Sequence, residues 1–404
     1  MRILVIVLLS SGLAAQTTTP LRDLLKEAEQ NSPAVIASAA AVKSSTYAPA
    51  QAGALPDTEV MVQSFSVGDP RPGAGWRTSD FAYVGFGASQ ELPFPGKREL
   101  RRTAAKREID MARAESQMTL ADVLLRVKLA YAGLAKTQAV LALLERNRGI
   151  VDQMEEGAQI RYRTGGGAQQ EVIRAQLERS RLSNEVAMQK REAAQFQAQL
   201  RALLNRPPAS PDVVAEAIQP RSVAMAMPEA DASPELQAQQ AQVAKAQAEV
   251  DLAQREKRPD FGVQYMWQHT SDKFRDYYMG TFSVRLPNRG RVHAAESQAI
   301  AKREQAEARH RAQHRQIQGE VEQEWAALRT IEDQLRIYRE GLLPQSQAAF
   351  ESGLAGYRAG RQEYQGLLTS YSDSLRLSIE FQQLLAEHES TIARIERLTG
   401  GELQ

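Results

Sequence analysis

The sequence predicts a mostly α protein with a small β part, built from long helical hairpins and four short strands arranged as two internal repeats. Three observations predict it. The same order of elements occurs twice, two very long stretches are rich in helix formers, and short runs of alternating apolar and polar residues precede each long stretch. Composition agrees, because 43% of the 404 residues are hydrophobic but only 6% aromatic. That balance suits long exposed helices better than a thick core.

Charge and cysteine content exclude several classes. Lys plus Arg (50) nearly cancels Asp plus Glu (49), so the basic footprint of a nucleic-acid binder is missing and no nucleic-acid partner is expected. With zero cysteines, disulfide scaffolds, thiolate zinc sites and cysteine nucleophiles are excluded. After residue 15 no uninterrupted apolar run approaches the roughly 18 residues of a spanning helix, which excludes a polytopic helical membrane protein.

Taken in order, residues 1–15 read as a signal peptide: Arg2, an apolar run from Ile3 to Leu9, and a small-x-small site at Gly12-Leu13-Ala14. The first repeat, 16–205, opens on Asn31-Ser32-Pro33-Ala34, and the second, 234–404, on Ala232-Ser233-Pro234-Glu235. Each repeat is expected to hold a medium helix (33–53, 234–257), two strands, a long helix and a returning helix. Strands are expected at about 58–67 and 81–92 and again at about 260–269 and 277–286. In the last pair Phe261, Val263, Tyr265 and Trp267 take alternate positions, as do Phe282 and Val284, with Gln264 and Ser283 between them. Strands of about ten residues are long enough to cross a membrane when tilted. The polar tip Ser271-Asp272-Lys273 would turn the second pair.

Long helices are expected over 97–159 and 291–356, each a rod of roughly 100 Å, with returning helices over 168–205 and 362–398. Gly149 in the first rod and Gly341 with Pro344 in the second mark expected kinks. Between the repeats, 206–233 carries Pro207, Pro208, Pro211, Pro220 and Pro228, so it is expected to be a peripheral, equatorial linker that tolerates insertion near Ala215.

Four strands cannot close a barrel, and an open edge in lipid leaves backbone groups unpaired, so spanning demands two or more copies. The strand exit Gln90-Glu91-Leu92-Pro93-Phe94-Pro95-Gly96-Lys97-Arg98, the turn Tyr162-Arg163-Thr164-Gly165-Gly166 and its repeat Gly356-Tyr357-Arg358-Ala359-Gly360 complete the pattern. In combination with the duplicated order, the chain resembles the TolC-like outer-membrane efflux factor family over about residues 21–400. The resemblance implies long α-helical barrel hairpins plus four transmembrane β-strands per protomer, a homotrimer in the outer membrane, and a periplasmic helical tunnel. It further implies a periplasmic adaptor and an inner-membrane pump as partners. The tip turns would form the gate, around Tyr162, Arg163, Gly165, Gly166, Glu171, Arg174, Tyr357, Arg358, Gly360 and Glu363, with Gly165, Gly166, Gly167 and Gly360 supplying backbone freedom. Gly366 and Thr369 stand where some members carry aspartates. The strand residues Phe261, Val263, Tyr265, Trp267, Phe282 and Val284 would face lipid. The proline-rich exit at Leu92 to Arg98 is similar to members serving heavy-metal pumps.

Catalytic readings fail. His310 and His314 are spaced i, i+4, but no metalloprotease Glu accompanies them and no third ligand is evident; Gly165-Gly166-Gly167 lacks the Lys-Ser/Thr of a phosphate loop. The expectation is therefore a non-enzyme without cofactor or metal: a passive exit duct of a tripartite efflux or type I secretion system, for small molecules or metal ions. A periplasmic adaptor of the membrane-fusion type is the alternative, and a coiled-coil envelope structure a third reading.

Overall fold

The structure is a computed structural model that describes residues 18–403 apart from 77, 80, 222, 224, 225, 271, 272 and 274. The expected signal peptide and most of the Ser271-Asp272-Lys273 tip lie outside the described residues. The chain divides into two compact units. One comprises residues up to 37, 118–234 and 316 onward; the other comprises 38–117 and 235–315.

The second unit carries the strands. β1 (Glu59–Phe65), β2 (Tyr83–Leu92), β3 (Asp260–His269) and β4 (Tyr277–Arg285) form one antiparallel sheet in the order β1-β2-β3-β4. Among the described residues both outer strands therefore present an unpaired edge. The strand exit is explained by one buried cation. Lys97 is only 1% exposed, and its Nζ lies 2.9 Å from Asp260 and 3.1 Å from Glu256. Asp260 also accepts the Phe94 N–H at 2.8 Å. Gly96 has φ +92°, and a Cβ there would sit 2.9 Å from the Arg255 guanidinium, which donates to Pro95 O and covers the Phe94 ring. Removing both acids would leave Lys97 as a buried uncompensated charge, worth about 3–5 kcal/mol.

The first unit is helical. α1 (Leu21–Asn31) buries Leu24 and Ala28 against Val123, Val127 and Leu134 of α4 (Lys97–Arg163) and Leu200 of α5 (Gln169–Leu203). One window of α4 is apolar enough to pass for a membrane span by composition, but half of it is buried in the protein.

Several boundaries differ from the sequence reading. The single helix expected over 33–53 is two, α2 (Pro33–Ser45) and α3 (Ala48–Ala52). Ser45 and Thr46 hydroxyls donate to the Val42 and Lys43 carbonyls, where they compete with the helical ladder. Ser32 is extended (ψ 127°) because the following proline disfavours the helical region, so α1 and α2 are separate. α4 runs unbroken through Gly149, so the local break expected there is missing: a glycine weakens a helix but keeps its N–H.

After α6 (Pro234–Arg255), the second rod does break. α7 (Arg289–Ile337) passes into a π-helical turn, Tyr338–Leu342, and then α8 (Leu343–Arg358). Pro344 has no N–H to continue the ladder, and the wider turn absorbs the loss. α9 (Tyr364–Thr399) returns. The 206–233 segment contains no helix or strand among its described residues, yet it is not loose. Val213 and Ala215 belong to the core, Gln197 exchanges two hydrogen bonds with the Val213 backbone, and Gln138 accepts from the Ala215 N–H. Ala215 is thus a poor insertion site, which corrects the expectation of tolerance there.

Candidate functional site: a two-faced sheet and paired tip turns

Cross-strand register sorts the sheet residues into two faces. Phe261 opposes Val284, Val263 opposes Phe282, Tyr265 opposes Gly280 and Trp267 opposes Tyr278. On the other side of β3, Phe86 opposes Trp267, and Val62 opposes Phe86. All six strand residues singled out in the sequence therefore share one face, together with Val60, Val62 and Phe86. Aromatic pairs run across it: Phe86–Trp267 at 6.0 Å, Phe261–Phe282 at 5.9 Å and Tyr265–Tyr278 at 6.4 Å between centroids. Phe282 is 66% exposed and Val62 67%, so nothing among the described residues covers this apolar surface. The opposite face carries Glu59, Ser89, Glu91, Gln264, Gln268, Thr281, Ser283 and Arg285, with Arg285 paired to Glu91 at 2.6 Å.

In the helical unit both tip turns close the same way. Gly165 (φ +74°) and Gly360 (φ +67°) take the left-handed conformation after their helices. Gly166 N–H bonds Arg161 O and Gly165 N–H bonds Tyr162 O; Arg361 and Gly360 repeat the pattern onto Gly356 and Tyr357. This double closure is the Schellman motif. Gly166 and Gly167 do not have positive φ, so backbone freedom is required at one glycine in each turn, Gly165 and Gly360, and not at all four. Gly167 matters by proximity, since a Cβ there would lie 3.0 Å from that of Arg161.

One joint links the two tips. Tyr357 is 5% exposed, and its hydroxyl donates to Glu171 Oε2 at 3.1 Å. The Arg161 guanidinium lies 4.7 Å from the Tyr357 ring centroid and donates to Tyr357 O at 3.3 Å and Gly166 O at 3.0 Å. Burial pushes the Tyr357 phenol up to about 12, aided by the Glu171 carboxylate and opposed by Arg161. Tyr364 and Tyr371 are buried behind it, with Tyr364 edge-on to Tyr357 at 5.6 Å.

Of the tip residues named from sequence, Tyr357 and Glu171 are brought together, and Arg174 is half-buried on α5. Tyr162, Arg163, Arg358 and Glu363 are exposed. Arg161, Tyr364 and Tyr371 were missed. The signal was present: Phe350, Tyr357, Tyr364 and Tyr371 recur every seven residues across the turn, and Phe350 packs on Tyr371 at 5.8 Å as Tyr357 does on Tyr364.

A sheet apolar on one face and polar on the other, with two open edges, in a chain that also folds long helical hairpins, defines the class of channel-forming outer-membrane proteins with a helical tunnel. The comparisons agree with that class. The outer membrane efflux protein family matches residues 24–206 and 229–400. The chain belongs to this family and is the outer-membrane channel component of a tripartite efflux system, with a periplasmic helical tunnel. Channels of the family generally work with a periplasmic adaptor and an inner-membrane pump.

Among solved structures, VceC from Vibrio cholerae is similar at 20% identity and TM-score 0.79, covering 95% of this chain and 97% of that one. CusC is similar at 15% identity and TM-score 0.81, covering 94% and 92%. The open-state MtrE channel of Neisseria gonorrhoeae is similar at 14% identity and TM-score 0.79, covering 95% and 89%. No curated protein matches the sequence. The adaptor reading is displaced by the family match.

Proposed function

We propose that the chain is a passive exit duct for small molecules or metal ions, closed as a homotrimer through its β1 and β4 edges and gated at the paired tip turns. The observation that carries this reading is the two-faced sheet. An exposed aromatic face suits lipid, a polar face suits a water-filled lumen, and open edges in lipid need a second copy to pair with. Three copies give twelve strands, a permitted even number.

At the tip, Arg161 and the Tyr357–Glu171 bond hold one hairpin to the other, and such a joint must part for the hairpins to separate. Exposed Ile160 (53%), Tyr162 (48%) and Ile173 (56%) at the first tip supply an apolar surface for the adaptor. The test is planar-bilayer conductance of the purified oligomer. Glu171→Gln removes the charged acceptor and should raise conductance several-fold, because charge-assisted bonds are among the stronger ones; Glu115→Gln on α4 should not. Equal conductance in both variants would remove the gate from the tip.

A further inference from the structure

On the polar face of the sheet, one lateral row is rich in sulfur. Met61 opposes Gly87, Gly87 opposes Met266, and Met266 opposes Met279. Three of the ten methionines in the chain thus stand in a single line across four strands. The rows on either side are polar or small at nearly every position: Glu59-Ser89-Gln264-Thr281 and Gln63-Gly85-Gln268-Tyr277. Three unbranched thioethers on a hydrophilic face are not what solvent exposure alone selects.

The row is also a cluster. Gly87 leaves a slot in its middle: a Cβ there would lie 3.1 Å from Met61 Cγ and 3.3 Å from Met266 Cε, so both side chains lean into the gap from opposite sides. Met266 is only 2% exposed, whereas Met279 beside it is 45% exposed. The sulfurs are turned toward polar groups rather than away from them. Gln264 Nε2 donates to Met61 Sδ and Gln268 Nε2 to Met266 Sδ, each at 3.3 Å. Sulfur lone pairs are therefore presented on the polar side, held by weak bonds that a stronger acid can displace.

We propose that Met61, Met266 and Met279 form a thioether site for a soft monovalent d10 cation, copper(I) or silver(I). Thioethers are soft, neutral donors: they bind such ions in preference to calcium, magnesium or zinc, which need oxygen, nitrogen or thiolate. Two or three of them suffice for a low-coordinate ion, and neutral ligands on a flexible side chain release it readily. Gln264 and Gln268 orient the two sulfurs they bond. Access to the site rests on the reading of the polar face as the lumen of the duct; binding itself does not.

The experiment is silver titration of the purified full-length oligomer in chloride-free detergent buffer, read by calorimetry and by the NMR shifts of 13C-methyl methionine. Wild type should bind about one silver per protomer, with shifts confined to residues 61, 266 and 279. Met266→Leu preserves volume and should weaken binding roughly tenfold or more, Met61→Leu and Met279→Leu less. Met188→Leu, at an exposed isolated methionine on α5, should change nothing, and excess calcium should not compete. Equal silver binding by wild type and the triple leucine variant, or shifts spread over all methionines, would overturn the site. Conductance without methionine-dependent silver binding refutes the site and leaves the duct intact. Silver binding without conductance does the reverse.

Discussion

Two copies of one motif meet different fates in this chain. Tyr162-Arg163-Thr164-Gly165 and Tyr357-Arg358-Ala359-Gly360 end their helices with the same pair of backbone hydrogen bonds and the same left-handed glycine. Yet Tyr162 is 48% exposed and Tyr357 only 5%. Seven residues on, across the turn, the first tip has Gln169 and the second Tyr364, whose ring packs edge-on against Tyr357. Arg161, contributed by the first tip, caps the same ring. A turn motif therefore dictates the reversal of the chain, while burial is decided by what the return helix and the neighbouring hairpin place opposite. The long helices teach a parallel lesson: Gly149 leaves α4 intact, whereas Pro344 forces a π turn.

The largest expected effect tests this difference directly. Tyr357→Ala should destabilise the helical unit by about 3–5 kcal/mol, as for other large buried rings, and Tyr162→Ala by less than about 0.5 kcal/mol. Chemical denaturation of the full-length oligomer measures both, and equal losses would make the tips equivalent after all. Next in size, Val263→Arg in the second strand pair and Val62→Arg in the first should each cost about 2–4 kcal/mol and reduce assembly in the outer membrane. Gln264→Arg should assemble normally; a heat-modifiable oligomer on gels reports the outcome, and tolerance at all three positions would end the lipid-facing assignment.

A smaller effect separates the two rods. Gly149→Ala should stabilise by about 1 kcal/mol, since the helix there is regular and open to a methyl group. Failure to stabilise would point to a local break at Gly149 after all. Last, the Tyr357 phenol is raised to about 12 in the folded chain. The unfolded state then loses its proton first, so this contribution to stability is complete below about pH 10 and declines as pH rises toward 12. Thermal melts from pH 8 to 11.5 should show a decline that Tyr357→Phe reduces, and an identical decline in that variant would assign it to other groups.

Much of the fold was legible because its signals are local. Alternation in Phe261 to Trp267 is a property of neighbours in sequence, and so is the turn chemistry at Gly165 and Gly360. The break at Thr46 was not legible, since it depends on two hydroxyls competing for helix carbonyls. Nor was the core role of Val213 and Ala215: prolines announce an irregular path, but whether that path is loose depends on Gln138 and Gln197, far away in sequence. Within the candidate site, Tyr357 and Glu171 were named singly, and Arg161 was passed over because a lone arginine on a charged helix carries no mark of its partner.

By itself the sequence determined the duplicated plan, the fold class, and which strand residues are greasy and which polar, because periodicity and composition act through the adjacent backbone. Only the tertiary structure decided which residues meet across long separations. Register placed Met61, Met266 and Met279 in one row, and hairpin packing put Arg161 over Tyr357 and Lys97 between Asp260 and Glu256. The physical reason is range. A strand or turn is set by torsions and hydrogen bonds within a few residues, whereas a one-residue slip in pairing moves every side chain of a strand to the other face without altering its local pattern.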